Sequence, residues 1–138
     1  MWDKLATFHL QIVTADGLFF DGEAERILVR TIDGEVCILA RHIDYLTALG
    51  QGEARVTVDG KVRRAACMGG LLAVTGGKVR VVASTFEWQE DIDVSRAQRA
   101  LERAETALAS ETSADDKNFA RSALKRAEVR LRVAQDGK

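Results

Sequence analysis

A chain of 138 residues with 46% hydrophobic side chains can bury one ordinary core or two small ones. Its 20 basic and 21 acidic residues leave a formal charge of -1, which excludes a strong general attraction to nucleic acid or anionic lipid. No apolar run approaches the roughly 20 residues of a membrane-spanning helix, and the N-terminus, MWDKLATFHLQIV, carries no secretory h-region.

The first part of the chain reads as strands. In Thr7-Phe8-His9-Leu10-Gln11-Ile12-Val13, apolar Phe8, Leu10 and Ile12 alternate with more polar neighbours. Asp16-Gly17 and Asp21-Gly22 are turn signals around Leu18-Phe19-Phe20. Ile27-Leu28-Val29 and Val36-Cys37-Ile38-Leu39 flank Asp33-Gly34. Arg55-Val56-Thr57-Val58 and Lys61-Val62-Arg63-Arg64-Ala65 meet across Asp59-Gly60, a strong hairpin signal. Leu71-Leu72-Ala73-Val74-Thr75 and Lys78-Val79-Arg80-Val81-Val82 meet likewise across Gly76-Gly77. There are no prolines, so Gly and Asp must make the turns. Short strands with frequent turns predict a β-sandwich or barrel over residues 1–88. Cys37 and Cys67 sit singly in apolar segments, with no metal-ligand spacing to His9 or His42. We read them as small buried hydrophobes in a reducing compartment, ahead of a disulfide.

Residues 89–138 change period. Val94, Ala97, Leu101, Ala104 and Leu108 form one helical seam; Ala120, Leu124, Ala127, Leu131 and Ala134 form a second. Asp91 or Asp93 suits the first N-cap, and Ser113 with Asp115 and Asp116 suits the second. The short break between them predicts an antiparallel helical hairpin. Five of the ten seam residues are Ala, so the hairpin buries little apolar area and is expected to be a marginal, mobile element. Arg96, Arg99, Arg103, Lys125, Arg126 and Arg130 lie off the seams. Their plain reading is a solvated face, with Glu102 and Glu105 available for local pairs.

The order of motifs resembles the epsilon-subunit family of the rotary F-type ATP synthase. It runs from Ile12-Val13-Thr14-x-x-Gly17 and Phe20-x-Gly22-Glu23-Ala24 to Asp33-Gly34-Glu35-Val36-x-Ile38-Leu39. His42, Leu46-Thr47-Ala48-Leu49 and Gly52 come next, then Gly69-Gly70-Leu71-Leu72-x-Val74 and Lys78-Val79-x-Val81-Val82-Ala83. Asp91-Ile92-Asp93-x-x-Arg96-Ala97 and the second Ala-rich helix complete it. The resemblance implies an α+β chain: an N-terminal β-sandwich of about ten short strands, then a C-terminal two-helix hairpin. It also implies a non-catalytic central-stalk subunit at the cytoplasmic face of a bacterial plasma membrane. Its partners would be the gamma subunit, the c ring and, with the helices extended, the alpha and beta subunits. The helices would then hold back ATP hydrolysis.

The resemblance assigns residues as well. Glu35 matches a position facing the c ring, and His42 lies in the adjoining loop on the same side. Where the family has Pro-Gly-His-Ala-Pro-Leu, this chain reads Ala40-Arg41-His42-Ile43-Asp44-Tyr45-Leu46, which implies a less rigid loop. Ile92-Asp93-x-x-Arg96-Ala97 is also the motif with which some family members bind ATP as a regulatory ligand. Arg126 and Arg130 would reach the phosphates from the second helix, and Glu87 completes the candidate ATP-binding set. No Walker-type phosphate loop is present, so hydrolysis by this chain is not expected. From another class, a nucleic-acid-binding β-barrel with a helical tail would need basic strands interleaved with aromatics. Residues 1–91 instead hold ten basic and thirteen acidic side chains.

Overall fold

Two turns that need left-handed backbone organise the first part of the computed structural model, which describes residues 6–110 and 113–135. Asp59 and Gly60 have φ of 50° and 75°, and Gly76 and Gly77 have 56° and 79°. Positive φ at both central residues is the geometry that closes a two-residue hairpin. The turns join three strands: β5 (Tyr45–Val58), β6 (Lys61–Thr75) and β7 (Lys78–Ala83). Before them come β1 (Phe8–Thr14), β2 (Gly17–Ala24), β3 (Arg26–Thr31) and β4 (Gly34–Leu39), and after them β8 (Phe86–Trp88).

The sheet order is β2-β1-β7-β6-β5-β3-β4, with β8 added on β6. Every pair is antiparallel except β1 with β7. The described residues thus form eight strands rather than about ten. The difference lies in β5 and β6, which are 14 and 15 residues long and serve both layers of the sandwich. Residues 70–75 of β6 pair with β7, whereas residues 65–67 pair with β8. Between these stretches Gly69 and Gly70 have φ of 71° and 123° and bend the strand without ending it. Glycines that read in sequence as breaks are bends inside continuous strands.

Alternating side chains from both layers fill one core. Leu10, Ile12, Leu72 and Val81 meet Ile27, Val29, Ile38 and Val56, all fully buried. Phe86 and Trp88 close it, with the Arg63 guanidinium 3.8 Å over the Trp88 ring. Cys67 belongs to this core, and burial pushes its thiol up to about 12. Cys37 does not: it is exposed, contrary to the expectation from its apolar neighbours. In β4 the buried residue is Ile38, so the next side chain along the pleat must face outward.

The second unit begins at Gln89. A single 3-10 turn, Gln89–Asp91, precedes α1 (Val94–Ser110) and α2 (Ala114–Gln135). The Gln89 side-chain amide donates to the Val133 carbonyl at 2.7 Å. The end of α2 therefore lies beside the start of α1, and the helices run antiparallel. Ala97, Ala104, Ala120, Ala127 and Ala134 are buried, while Leu101, Leu108, Leu124 and Leu131 are half-buried. Val94 is exposed, so the first seam starts one turn later than its spacing suggests. Val129 and Val133 are buried off the seam, a second apolar stripe on α2. A buried alanine removes roughly one methyl group from water, on the order of 0.8 kcal/mol, against about 1.5–3 for a buried leucine.

The bend at Gly70 is sterically closed. A Cβ there would meet the Val82 carbonyl oxygen at 1.9 Å and the Ala83 Cα at 2.8 Å. Gly77 has positive φ but open space around it. Urea unfolding should show Gly70→Ala losing about 3 kcal/mol or more and Gly77→Ala about 1–2 kcal/mol. Alkylation of the native chain by iodoacetamide should modify Cys37 and spare Cys67, with Cys67 reacting only in denaturant.

Candidate functional site

The helix-start stretch is first of all a cap. The Asp93 carboxylate accepts the Arg96 backbone N–H at 3.0 Å, and the Asp93 carbonyl accepts the Ala97 N–H at 3.0 Å. That is an N-cap residue satisfying free donors of the first turn and placing negative charge at the positive end of the helix dipole. Ile92 is buried, with its N–H donating to the Gln89 carbonyl at 3.4 Å. Asp91 lies in the 3-10 turn and leaves the cap to Asp93. The second helix starts in the same way: the Ser113 hydroxyl oxygen accepts the Asp116 N–H at 3.0 Å.

The cap changes what the motif offers a phosphate. One first-turn N–H is already used, and a carboxylate occupies the place where an anion would sit. The positive groups that remain are side chains. Arg96 is exposed in the first turn of α1, and the antiparallel packing sets that turn toward the C-terminal half of α2, which carries Arg126 and Arg130. Arg126 donates to the Ser122 hydroxyl at 2.7 Å; it and Arg130 are half-buried. Ala97 is buried in the seam and has only its backbone to offer. Glu87 lies on β8 in the first unit, in register with Ala66. Gln89, which ties α2 to the start of the second unit, was not among the candidates, because a lone amide at a strand–helix junction carries no motif.

The other two candidates are separated by the length of a strand. Glu35 is exposed near the start of β4, opposite Arg30. The adjoining turn is fixed by the Thr31 hydroxyl, which donates to the Gly34 carbonyl at 2.7 Å and accepts the Asp33 N–H at 3.0 Å. His42 lies beyond the far end of β4, in a loop where Arg41 has φ 65°. Four residue steps from Glu35 to the end of the strand span about 13 Å. Glu35 and His42 therefore sit at opposite ends of β4. His42 Nδ1 donates to the Ile43 carbonyl at 2.8 Å, a local hydrogen bond, and its ring lies 5.8 Å from that of Tyr45. Asp44 accepts the Gly76 N–H at 2.9 Å and so ties this proline-free loop to the β6–β7 turn. Among the described residues no cluster of His, Cys, Asp and Glu could hold a metal ion. No described helix is long and apolar enough to cross a membrane.

Two family models match the chain in succession. The ATP synthase delta/epsilon chain beta-sandwich domain covers residues 7–89, and the long alpha-helix domain of the same chain covers residues 90–135. The chain belongs to the ATP synthase delta/epsilon family. The ATP synthase epsilon chain of Caldicellulosiruptor bescii is 40% identical over 97% of this chain and 98% of its own length. That of Ruminococcus albus is 38% identical over 94% of this chain and 98% of its own length. A chain of the Euglena gracilis mitochondrial ATP synthase (OSCP/F1/c-ring) superposes with a TM-score of 0.80 at 25% identity. The match covers 94% of this chain and 81% of that one. A chain of the Tetrahymena thermophila mitochondrial ATP synthase shares the fold, with a TM-score of 0.68 at 15% identity over 96% of this chain and 100% of that one. The family is a non-catalytic subunit family of the synthase, and the α+β sandwich-plus-hairpin architecture is that of its two domains.

The cap yields a direct test. Asp93→Ala should cost about 1 kcal/mol and speed amide exchange in the first turn of α1, whereas Asp93→Asn should stay within a few tenths of wild type. Equal exchange in all three proteins would show that the first turn is held by something other than Asp93.

Proposed function

We propose that the chain is a rotor subunit in the central stalk of a bacterial F-type ATP synthase, peripheral at the cytoplasmic face of the plasma membrane. The sandwich binds the gamma subunit and the c ring and helps couple rotation to ATP synthesis. The helical hairpin is the regulatory element: extended, it meets the alpha and beta subunits and inhibits ATP hydrolysis. The observation that carries this reading is the family match in two consecutive domains across residues 7–135. The alanine-lined contact between α1 and α2 supports the second half, because a two-state element must be held by little energy.

Within this reading Glu35 is the ring-facing charge, and His42 makes a separate contact from the opposite end of β4. ATP is a regulatory ligand of the compact hairpin. Its phosphates meet the side chains of Arg96, Arg126 and Arg130, since the Asp93 cap already uses a helix N–H. Ile92 and Ala97 shape the helix start. A ligand that binds only the compact state stabilises it by about 2.7 kcal/mol at 100-fold excess over Kd, enough to dominate a weak hairpin.

The full chain should co-purify stoichiometrically with gamma, and a chain ending at residue 88 should do so as well. Removing residues 89–138 should relieve inhibition of hydrolysis in the assembled enzyme. ATP should raise the Tm of the full chain, and Arg126→Ala should remove that rise while leaving gamma binding intact. A full chain that leaves gamma free would end the rotor reading. A calorimetric blank at millimolar ATP would end the ligand reading alone.

A further inference from the structure

Two helix ends in the second unit are capped by the residue just before them, Asp93 for α1 and Ser113 for α2. The C-terminal end of α2 is served differently. The last four carbonyls of an α-helix find no donor inside it, and α2 ends at Gln135, which puts Val133 among them. Val133 is fully buried, so its carbonyl needs a partner from the protein. That partner is the side-chain amide of Gln89, 44 residues earlier in the chain, at 2.7 Å. An N–H there also suits the negative end of the helix dipole.

Gln89 is held in place on both sides. It follows directly on Trp88, which pairs with Ala65 on β6 and packs against Phe19 and Phe86 within the sandwich. Its own carbonyl accepts the Ile92 N–H and so fixes the 3-10 turn. With the backbone set, the bond to Val133 has only a side chain left to order. The buried side chains of α2 gather at the same end. Ala127, Val129, Val133 and Ala134 are buried in its second half, against Ala120 in its first, where Phe119 is 74% exposed. The hairpin is closed at the end that Gln89 holds and sparsely packed at the other.

We propose that Gln89 is the latch of the helical hairpin: its amide holds the last turn of α2 at the start of α1, and the helices cannot part at this end until that bond breaks. Breaking it strands a buried carbonyl, so the last turn has to enter water in the same step. Latch and last turn therefore release as one unit. The latch itself is a property of the isolated chain; its consequence in the assembled enzyme rests on the reading of the hairpin as a regulatory element.

Hydrogen exchange of the full chain, read by mass spectrometry, tests the latch. Gln89→Met keeps the length of the side chain without a donor. It should speed exchange about 5-fold in residues 131–135 and by less than about two-fold in residues 114–120. Gln89→Lys keeps a donor suited to a helix C-terminus and should stay within about two-fold of wild type throughout. In a chain ending at Arg132, which lacks the acceptor, Gln89→Met should add nothing to exchange in residues 127–131. Exchange that rises only at residues 89–93, or rises alike in both full-chain variants, would overturn the latch. In the assembled enzyme Gln89→Met should deepen inhibition of ATP hydrolysis, because the compact state loses stability. Faster exchange with unchanged inhibition would overturn the regulatory reading and leave the latch standing. Wild-type exchange in Gln89→Met would overturn the latch and leave that reading standing.

Discussion

The sandwich depends on one backbone constraint, the bend of β6 at Gly69 and Gly70. Without it the strand could not pair with β7 over residues 70–75 and with β8 over residues 65–67. The space for a side chain at Gly70 is filled by the Val82 carbonyl, so the close approach of β6 and β7 is bought with the absence of a Cβ. A second close approach works in the same way: a Cβ on Gly52 of β5 would lie 2.8 Å from the Cβ of Arg30 on β3. Because β5 and β6 run through both layers, one hairpin registers the whole core. A slip of one residue in it would turn Leu72, Val74, Val56 and Ala54 outward together.

Stability is distributed unevenly between the two units. The first buries Leu, Ile, Val, Phe and Trp side chains against one another from eight strands. The contact between α1 and α2 is lined mostly by alanine, with leucines half in solvent. The caps at Asp93 and Ser113 matter more in such a hairpin, because each is comparable to the burial of a seam alanine. A fold with one rigid part and one lightly held part suits a subunit that must both transmit force and respond to a signal, as proposed above.

Much of this was legible in the residues. Asp59-Gly60 and Gly76-Gly77 announced their hairpins because two-residue turns demand positive φ, which few residue types supply. The seams announced the helices because alanine and leucine recur at three- and four-residue spacing. Three features were not legible. Gly50, Gly69 and Gly70 resemble strand ends, and only the pairing partners reveal that β5 and β6 continue through them. Cys37 lies in an apolar run whose residues do not show which parity faces the core; the fold buries Ile38 and turns Cys37 outward. The parallel pairing of β1 with β7 joins segments nearly seventy residues apart and leaves no local trace. The candidate site was legible in part. Hairpin topology alone predicts that Arg96 lies toward the half of α2 that carries Arg126 and Arg130. Glu35 and His42 were named by resemblance alone, and they lie at opposite ends of β4.

The helix start shows how one short motif carries two kinds of chemistry with a conflict between them. Asp93 is needed as a cap, since the first-turn N–H groups of α1 have no intrahelical partners. The same carboxylate opposes an anion at that place. On the reading proposed above, a phosphate near Arg96 would approach along the side of the hairpin and be held by guanidinium groups, whose flexible stems can move away from the cap. Arg126 is partly committed already, through its hydrogen bond to Ser122, so binding would exchange a neutral acceptor for a charged one. Such an exchange gains only the difference between the two hydrogen bonds, and occupancy then rises with ligand concentration. Within the proposed reading, the arrangement therefore suits weak binding of an abundant nucleotide better than permanent retention.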